Sequence, residues 1–209
     1  MTYTPSQDQE QPVREKRRQD VLLVDVSLFM AATIGAHPNT CFDNVLDLFL
    51  HYFPQEFSAH GKLVEGWYVV ELEDEVVLNE HGWIELASGK IIDPTVVRLL
   101  APSCPVYYFT GVKRTWQEVQ AITRRKEVWF PYVRCCEVYG QDGMEHPVYK
   151  AAHDAAVQKV MDLAHRTQPP KKMTFLTSQD VLSDQHESGM QVQVIFISAC
   201  PDEEEETER

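Results

Sequence analysis

Asn79-Glu80-His81-Gly82-Trp83-Ile84-Glu85-Leu86-Ala87-Ser88-Gly89-Lys90-Ile91-Ile92-Asp93-Pro94-Thr95 reads as two short strands joined by a turn at Ser88-Gly89. A histidine enters the first strand and an aspartate leaves the second. Antiparallel neighbours joined by a short turn set the start of one strand opposite the end of the other, so the spacing predicts His81 and Asp93 side by side. An imidazole held by a carboxylate is the base and orienting acid of a nucleophilic triad. The missing member is a nucleophile, and Cys41 lies upstream.

Working outward toward that cysteine, Phe42, Val45, Leu46, Phe49, Leu50 and Phe53 recur at helical spacing, with Thr40 as candidate cap, Asp43 in the first turn and Pro54 as stop. Cys41 falls in the first turn. Unpaired N–H groups and the helix dipole favour an anion there, which in general can bring a thiol pKa from ~8.5 into a range of roughly 3.5–7.5, particularly beside an imidazolium. His81 is then the group that takes the thiol proton and returns it to a leaving group, with Asp93 fixing its tautomer. Between helix and opening stretch, residues 62–71 and 76–79 read as strands around the acidic turn 71–75. A helix followed by antiparallel strands predicts an α+β fold.

The flanks extend this pattern. Residues 21–34 predict a buried helix capped by Asp20 and stopped by Gly35, with a strand the alternative for its β-branched first half, and its near-continuous apolarity marks core. Further on, 106–110 reads as a strand, 115–125 as a helix, 128–138 as a β-rich piece, and 147–165 as a helix with proline at its first position. Residues 168–172 read as a hinge and 192–198 as a strand closing a sheet edge. The polar arm 1–20 and the acidic tail 201–209 hold too little apolar surface to order themselves, leaving one domain over 21–200. No internal repeat is visible.

With 209 residues, 44% of them hydrophobic, the chain can bury a substantial core. Its formal charge of -13 argues against holding nucleic acid by a general field. Five cysteines, scattered apart from Cys135-Cys136, form neither a disulfide framework nor a paired zinc signature. A Cys/His/Asp zinc site would lack a fourth ligand at familiar spacing, so neither metal nor cofactor is expected. The apolar run 21–35 contains Asp25 and is too short for a membrane span, and about 20 polar residues before it make a poor signal peptide. The expectation is a reducing cytoplasm with free thiols.

Taken in order, Cys41 on a helix, the strand around Glu65-Gly66-Trp67-Tyr68, His81-Gly82-Trp83-Ile84-Glu85 and then Asp93-Pro94-Thr95 resemble the core of the transglutaminase-like superfamily of papain-like cysteine enzymes, especially its small bacterial and phage members. The resemblance spans roughly residues 36–100. It implies a Cys-bearing helix on an antiparallel sheet, with Cys41 as nucleophile, His81 as general base and Asp93 as orienting acid. Trp83, on the same strand face as His81, would wall the site against water, and Asn39 is the candidate side-chain oxyanion donor beside the Cys41 amide.

Glu65, Trp67 and Glu80 are candidate substrate contacts, the two acids favouring a cationic or amine group. The basic cluster Lys113, Arg114, Arg124, Arg125 and Lys126 offers a surface for an acidic partner. The implied chemistry is acyl transfer from a peptide or protein amide through a thioester, resolved by water or by an amine. The rival reading is a non-catalytic relative that binds a peptide or protein.

Overall fold

The structure, a computed structural model, describes residues 13–38, 40–125 and 146–176. It is α+β, built on a six-stranded and mainly antiparallel sheet. The strands are β1 (Glu15–Arg17), β2 (Gly61–Glu71), β3 (Glu75–Leu86), β4 (Ile91–Ile92), β5 (Val106–Arg114) and β6 (Lys172–Leu176). The hydrogen-bonded order is β1-β5-β2-β3-β4, and β6 adds in parallel to β3. The helices are α1 (Arg18–Val21), α2 (Val24–Ile34), α3 (Cys41–Asp47), α4 (Pro54–His60), α5 (Val96–Leu99), α6 (Trp116–Arg125) and α7 (Pro147–Ala164).

The sheet centre is the β2–β3 hairpin, eleven residue pairs in unbroken register from Gly61↔Leu86 to Glu71↔Val76. Alternation along these strands assigns the two faces. Trp67, Val69, Val76 and Leu78 pack under α7 with Tyr149, Ala152, Ala156, Val160 and Leu163. Further along that face, Leu63 and Ile84 meet Val45, Leu46, Leu48, Phe49 and Phe57 from α3 and the turns after it. The other face carries Val64, Tyr68, Val70, Trp83 and Tyr108, closed by Leu22, Ile91 and Val96.

The β2–β5 pairing contains a bulge. Glu65 pairs with Val112 and Trp67 with Phe109, so Thr110 and Gly111 together oppose Gly66. The two backbones touch there: a Cβ on Gly66 would sit 2.4 Å from the Phe109 carbonyl oxygen, and one on Gly111 would sit 2.5 Å from that of Glu65. Only glycine fits that crossing.

Several expectations are corrected. Residues 15–20, expected within a disordered arm, lie in β1 and α1. Backbone pairing to β5 and a buried Arg18 order them, its guanidinium donating to the carbonyls of Ala101 (2.6 Å), Leu100 (3.4 Å) and Cys104 (3.5 Å). The predicted 21–34 helix begins at Val24 without a side-chain cap and ends at left-handed Gly35 (φ 63°).

That helix is not wholly core, since Val24, Val26, Leu28 and Phe29 are exposed. The helix of Cys41 loosens into a π-helical turn over Leu48–Tyr52 and stops before Pro54, as the sequence predicts, and Pro54 then opens α4. The hinge over 168–172 runs into β6, whose Lys172 and Thr174 side chains bond Glu75. The strands expected at 128–138 and 192–198, residues 1–12 and the acidic tail lie outside the described residues.

Candidate active site

His81 and Asp93 stand twelve positions apart in the chain, and the hairpin brings them together. Ile84 pairs with Ile92, so Asp93 emerges level with Trp83, one diagonal step from His81. His81 Nε2 lies 2.8 Å from Asp93 Oδ2, with both side chains essentially without solvent exposure. Every oxygen of that carboxylate is used. Oδ2 also accepts the Tyr108 hydroxyl at 3.0 Å, while Oδ1 accepts the backbone N–H groups of Thr95 (3.1 Å) and Val96 (2.9 Å) and so caps α5. The Asp93 amide itself donates to Ser27 Oγ at 3.0 Å, tying the turn to α2.

Cys41 comes from the outer edge of β3. Along that edge β6 covers Glu75 to Asn79 and β4 covers Ile84 and Glu85, leaving an interval centred on His81. The start of α3 fills it. Phe42 lies over Gly82, where an added Cβ would come within 2.7 Å of its ring, and the Cys41 thiol is near enough to the His81 imidazole to help hold its proton. With Nε2 committed to Asp93, Nδ1 is the nitrogen left for the sulfur.

Asn44, one turn into α3, holds this arrangement from behind. Its Nδ2 donates to the His37 carbonyl (2.7 Å) and to Thr95 Oγ1 (2.9 Å), and its Oδ1 accepts the His37 N–H (3.2 Å) and the Thr40 hydroxyl (3.3 Å). The loop before the cysteine and the turn after the aspartate are thereby joined through one side chain.

Burial by itself would strip His81 of its proton, but the charge of Asp93, reinforced by the Cys41 sulfur and by hydrogen bonds to both, outweighs it and pushes the imidazole up to about 10. The ring is therefore an imidazolium at neutral pH, a donor on both nitrogens. Tyr68 stands edge-on to it, ring centroids 4.5 Å apart, and Trp83 stacks behind at 6.2 Å. Trp83 is fully buried and packs edge-on against Tyr108.

Not every predicted residue joins this group. Glu80 and Trp67 alternate to the α7 face, where Glu80 Oε1 accepts the Tyr149 hydroxyl and Trp67 packs on Tyr149 and His153. Glu65 shares their parity and is buried on that side. The sheet thus separates all three from His81. Asn39 lies outside the described residues, as does Lys126. Lys113, expected to face an acidic partner, is paired with Glu85 at 2.7 Å, and α6 carries Arg124 and Arg125.

Residues that sequence reasoning left out of the site are Ser27, Asn44, Tyr68, Thr95 as a ligand of Asn44, and Tyr108. Tyr68 sits inside the quoted strand motif, and its i, i+2 relation to Gly66 was the available signal. Among the described residues, no group of His, Cys, Asp and Glu could hold a metal ion, and no helix is long and apolar enough to cross a membrane. Compared with family models, curated proteins and solved structures, the chain matches none.

Proposed function

We propose that this protein is a cysteine-dependent acyl-transfer enzyme acting on amide bonds, with a papain-like core of the transglutaminase-like type. The observation that carries the reading is the buried His81–Asp93 pair at 2.8 Å with the Cys41 thiol on the imidazole's other side. A cysteine at the start of a helix laid against the β2–β3 hairpin is also what the sequence resemblance calls for.

In this reading the Cys41 sulfur, its proton held by His81, attacks an amide carbonyl. The tetrahedral adduct collapses as His81 passes its proton to the departing amine, leaving a thioester on Cys41. Water or a second amine then attacks the thioester carbonyl and frees the sulfur, giving hydrolysis or transamidation. Asp93 keeps the imidazole oriented throughout and stabilises its positive form.

The test uses the thiol's own reactivity. Iodoacetamide at neutral pH, read by mass spectrometry of the peptides, labels Cys41 faster than Cys104, whose sulfur faces the Glu71 carbonyl at 3.7 Å. His81→Ala slows the Cys41 reaction about tenfold or more, because it removes the imidazolium beside the sulfur. Equal rates at the two cysteines would overturn the enzyme reading in favour of a binding domain.

A further inference from the structure

Acyl transfer gathers negative charge on the carbonyl oxygen, and a preorganised donor aimed at that oxygen is among the largest contributions a site makes. Tyr68 has the chemistry and the place. It lies on the His81 face of the sheet, one diagonal step across β2–β3, with its ring edge-on to the imidazole. Its hydroxyl oxygen accepts Asn79 Nδ2 at 3.3 Å, which orients the phenol, and among the described residues nothing accepts its proton.

Tyr108, the other tyrosine on this face, differs in this respect, since its proton is given to Asp93. Burial is the main cause, and the charges of Cys41 and Asp93 lesser ones, that hold Tyr68 well above the usual tyrosine range, so it stays a donor at every working pH. Tyr68 is itself buried, while its partner Asn79 and the residue Cys41 are both partly exposed.

We propose that the Tyr68 hydroxyl, oriented by Asn79, is the side-chain donor that receives the carbonyl oxygen while the acyl group moves to Cys41; the assignment rests on the cysteine reading above. As the sulfur–carbon bond forms, the π pair of the carbonyl moves onto its oxygen and the Tyr68 O–H donates to it. On collapse the pair returns, the carbon–nitrogen bond breaks, and the proton on His81 leaves with the amine.

Two reagents on the same sulfur separate this role from simple positioning. Iodoacetamide reacts by displacement of iodide and builds no carbonyl oxyanion, whereas p-nitrophenyl acetate acylates through one. Tyr68→Phe keeps the ring against His81 and removes only the donor. Its acetylation of Cys41, followed by p-nitrophenolate release and by the mass of the Cys41 peptide, falls ~100-fold, while iodoacetamide labelling stays within about twofold of wild type. Asn79→Ala, which leaves the phenol but not its orientation, loses less acetylation than Tyr68→Phe and alkylates normally.

Unchanged acetylation in Tyr68→Phe overturns the assignment, and so do equal losses with both reagents, which would make Tyr68 a support of the ion pair. Wild-type protein in which iodoacetamide labels Cys41 no faster than Cys104 removes the nucleophile itself, and this assignment with it. The two failures are thereby told apart.

Discussion

The two faces of β3 bury ionisable groups only one residue apart, yet to different ends. On one face Glu80 accepts Tyr149 from α7, beneath a helix that seals it from solvent. On the other, His81 and Asp93 are as deeply buried, but their network ends on a partly exposed thiol. Burial of a carboxylate near a tyrosine is common to both, Glu80 with Tyr149 and Asp93 with Tyr108. The difference is an outlet. A buried polar cluster becomes a candidate site where its last member can be reached from outside, and Cys41, at the start of α3, is partly exposed.

The largest expected effect is on stability and lies on the His81 face. Asp93→Ala removes the acceptor of the imidazolium, the Tyr108 hydroxyl and two backbone N–H groups, and lowers the unfolding free energy by about 3–5 kcal/mol in urea denaturation. A loss no greater than that of a typical exposed substitution would erase the contrast between the faces.

Next comes pH. His81 is raised from 6.5 to about 10 by its neighbours, so the folded state holds its proton more tightly than the unfolded chain does. Its contribution to stability is fully present below about pH 6.5 and is lost as the pH rises through about 10. Urea midpoints measured from pH 6 to 10 therefore fall more steeply in wild type than in His81→Gln; parallel curves would refute the ion pair.

The smallest effect sharpens the contrast from the sealed side. Tyr149→Phe takes one donor from Glu80 and costs ~1–2 kcal/mol of stability, while the rate of Cys41 alkylation stays unchanged. A loss of alkylation would mean that the sheet transmits what it is described as separating.

The hairpin at the centre was legible because it is local. Ser88-Gly89 at the turn (Gly89 φ 78°), the alternation of 76–86 and the count between His81 and Asp93 all act within a few residues, and together they placed the pair correctly. Cys41 was legible because helical spacing and the loop before it mark a helix start. What escaped was non-local. Whether Glu65, Trp67 and Glu80 face the site depends on strand parity relative to His81, and the site lies on the odd-numbered face of β3, opposite to all three.

Tyr108 reaches Asp93 only because β5 pairs with β2, a neighbour about forty residues earlier in the chain. The apolar run at 21–34 misled for another reason. Hydrophobicity marks what a helix can bury, whereas α2 packs on α3, β4 and α5 through one side and leaves Phe29 at 62% exposure on the other. The polar arm misled in the opposite sense, since β1 is ordered by backbone bonds and by ion pairs of Lys16 with Glu85 and Glu15 with Lys159, none of which needs apolar surface.

The bulge opposite Gly66 has a consequence in counting rather than in chemistry. Before it, the odd residues Tyr107 and Phe109 face α7; after it, the even residue Val112 does. One surplus residue thus resets the phase of β5, so that Tyr108 and Lys113, of opposite parity, both reach the His81 side of the sheet, one to Asp93 and the other to Glu85. A chain one residue shorter at Thr110 would set Phe109 opposite Trp67 and Val112 opposite Glu65 in plain alternation, so the surplus residue changes the count along β5 and leaves its two faces as they are.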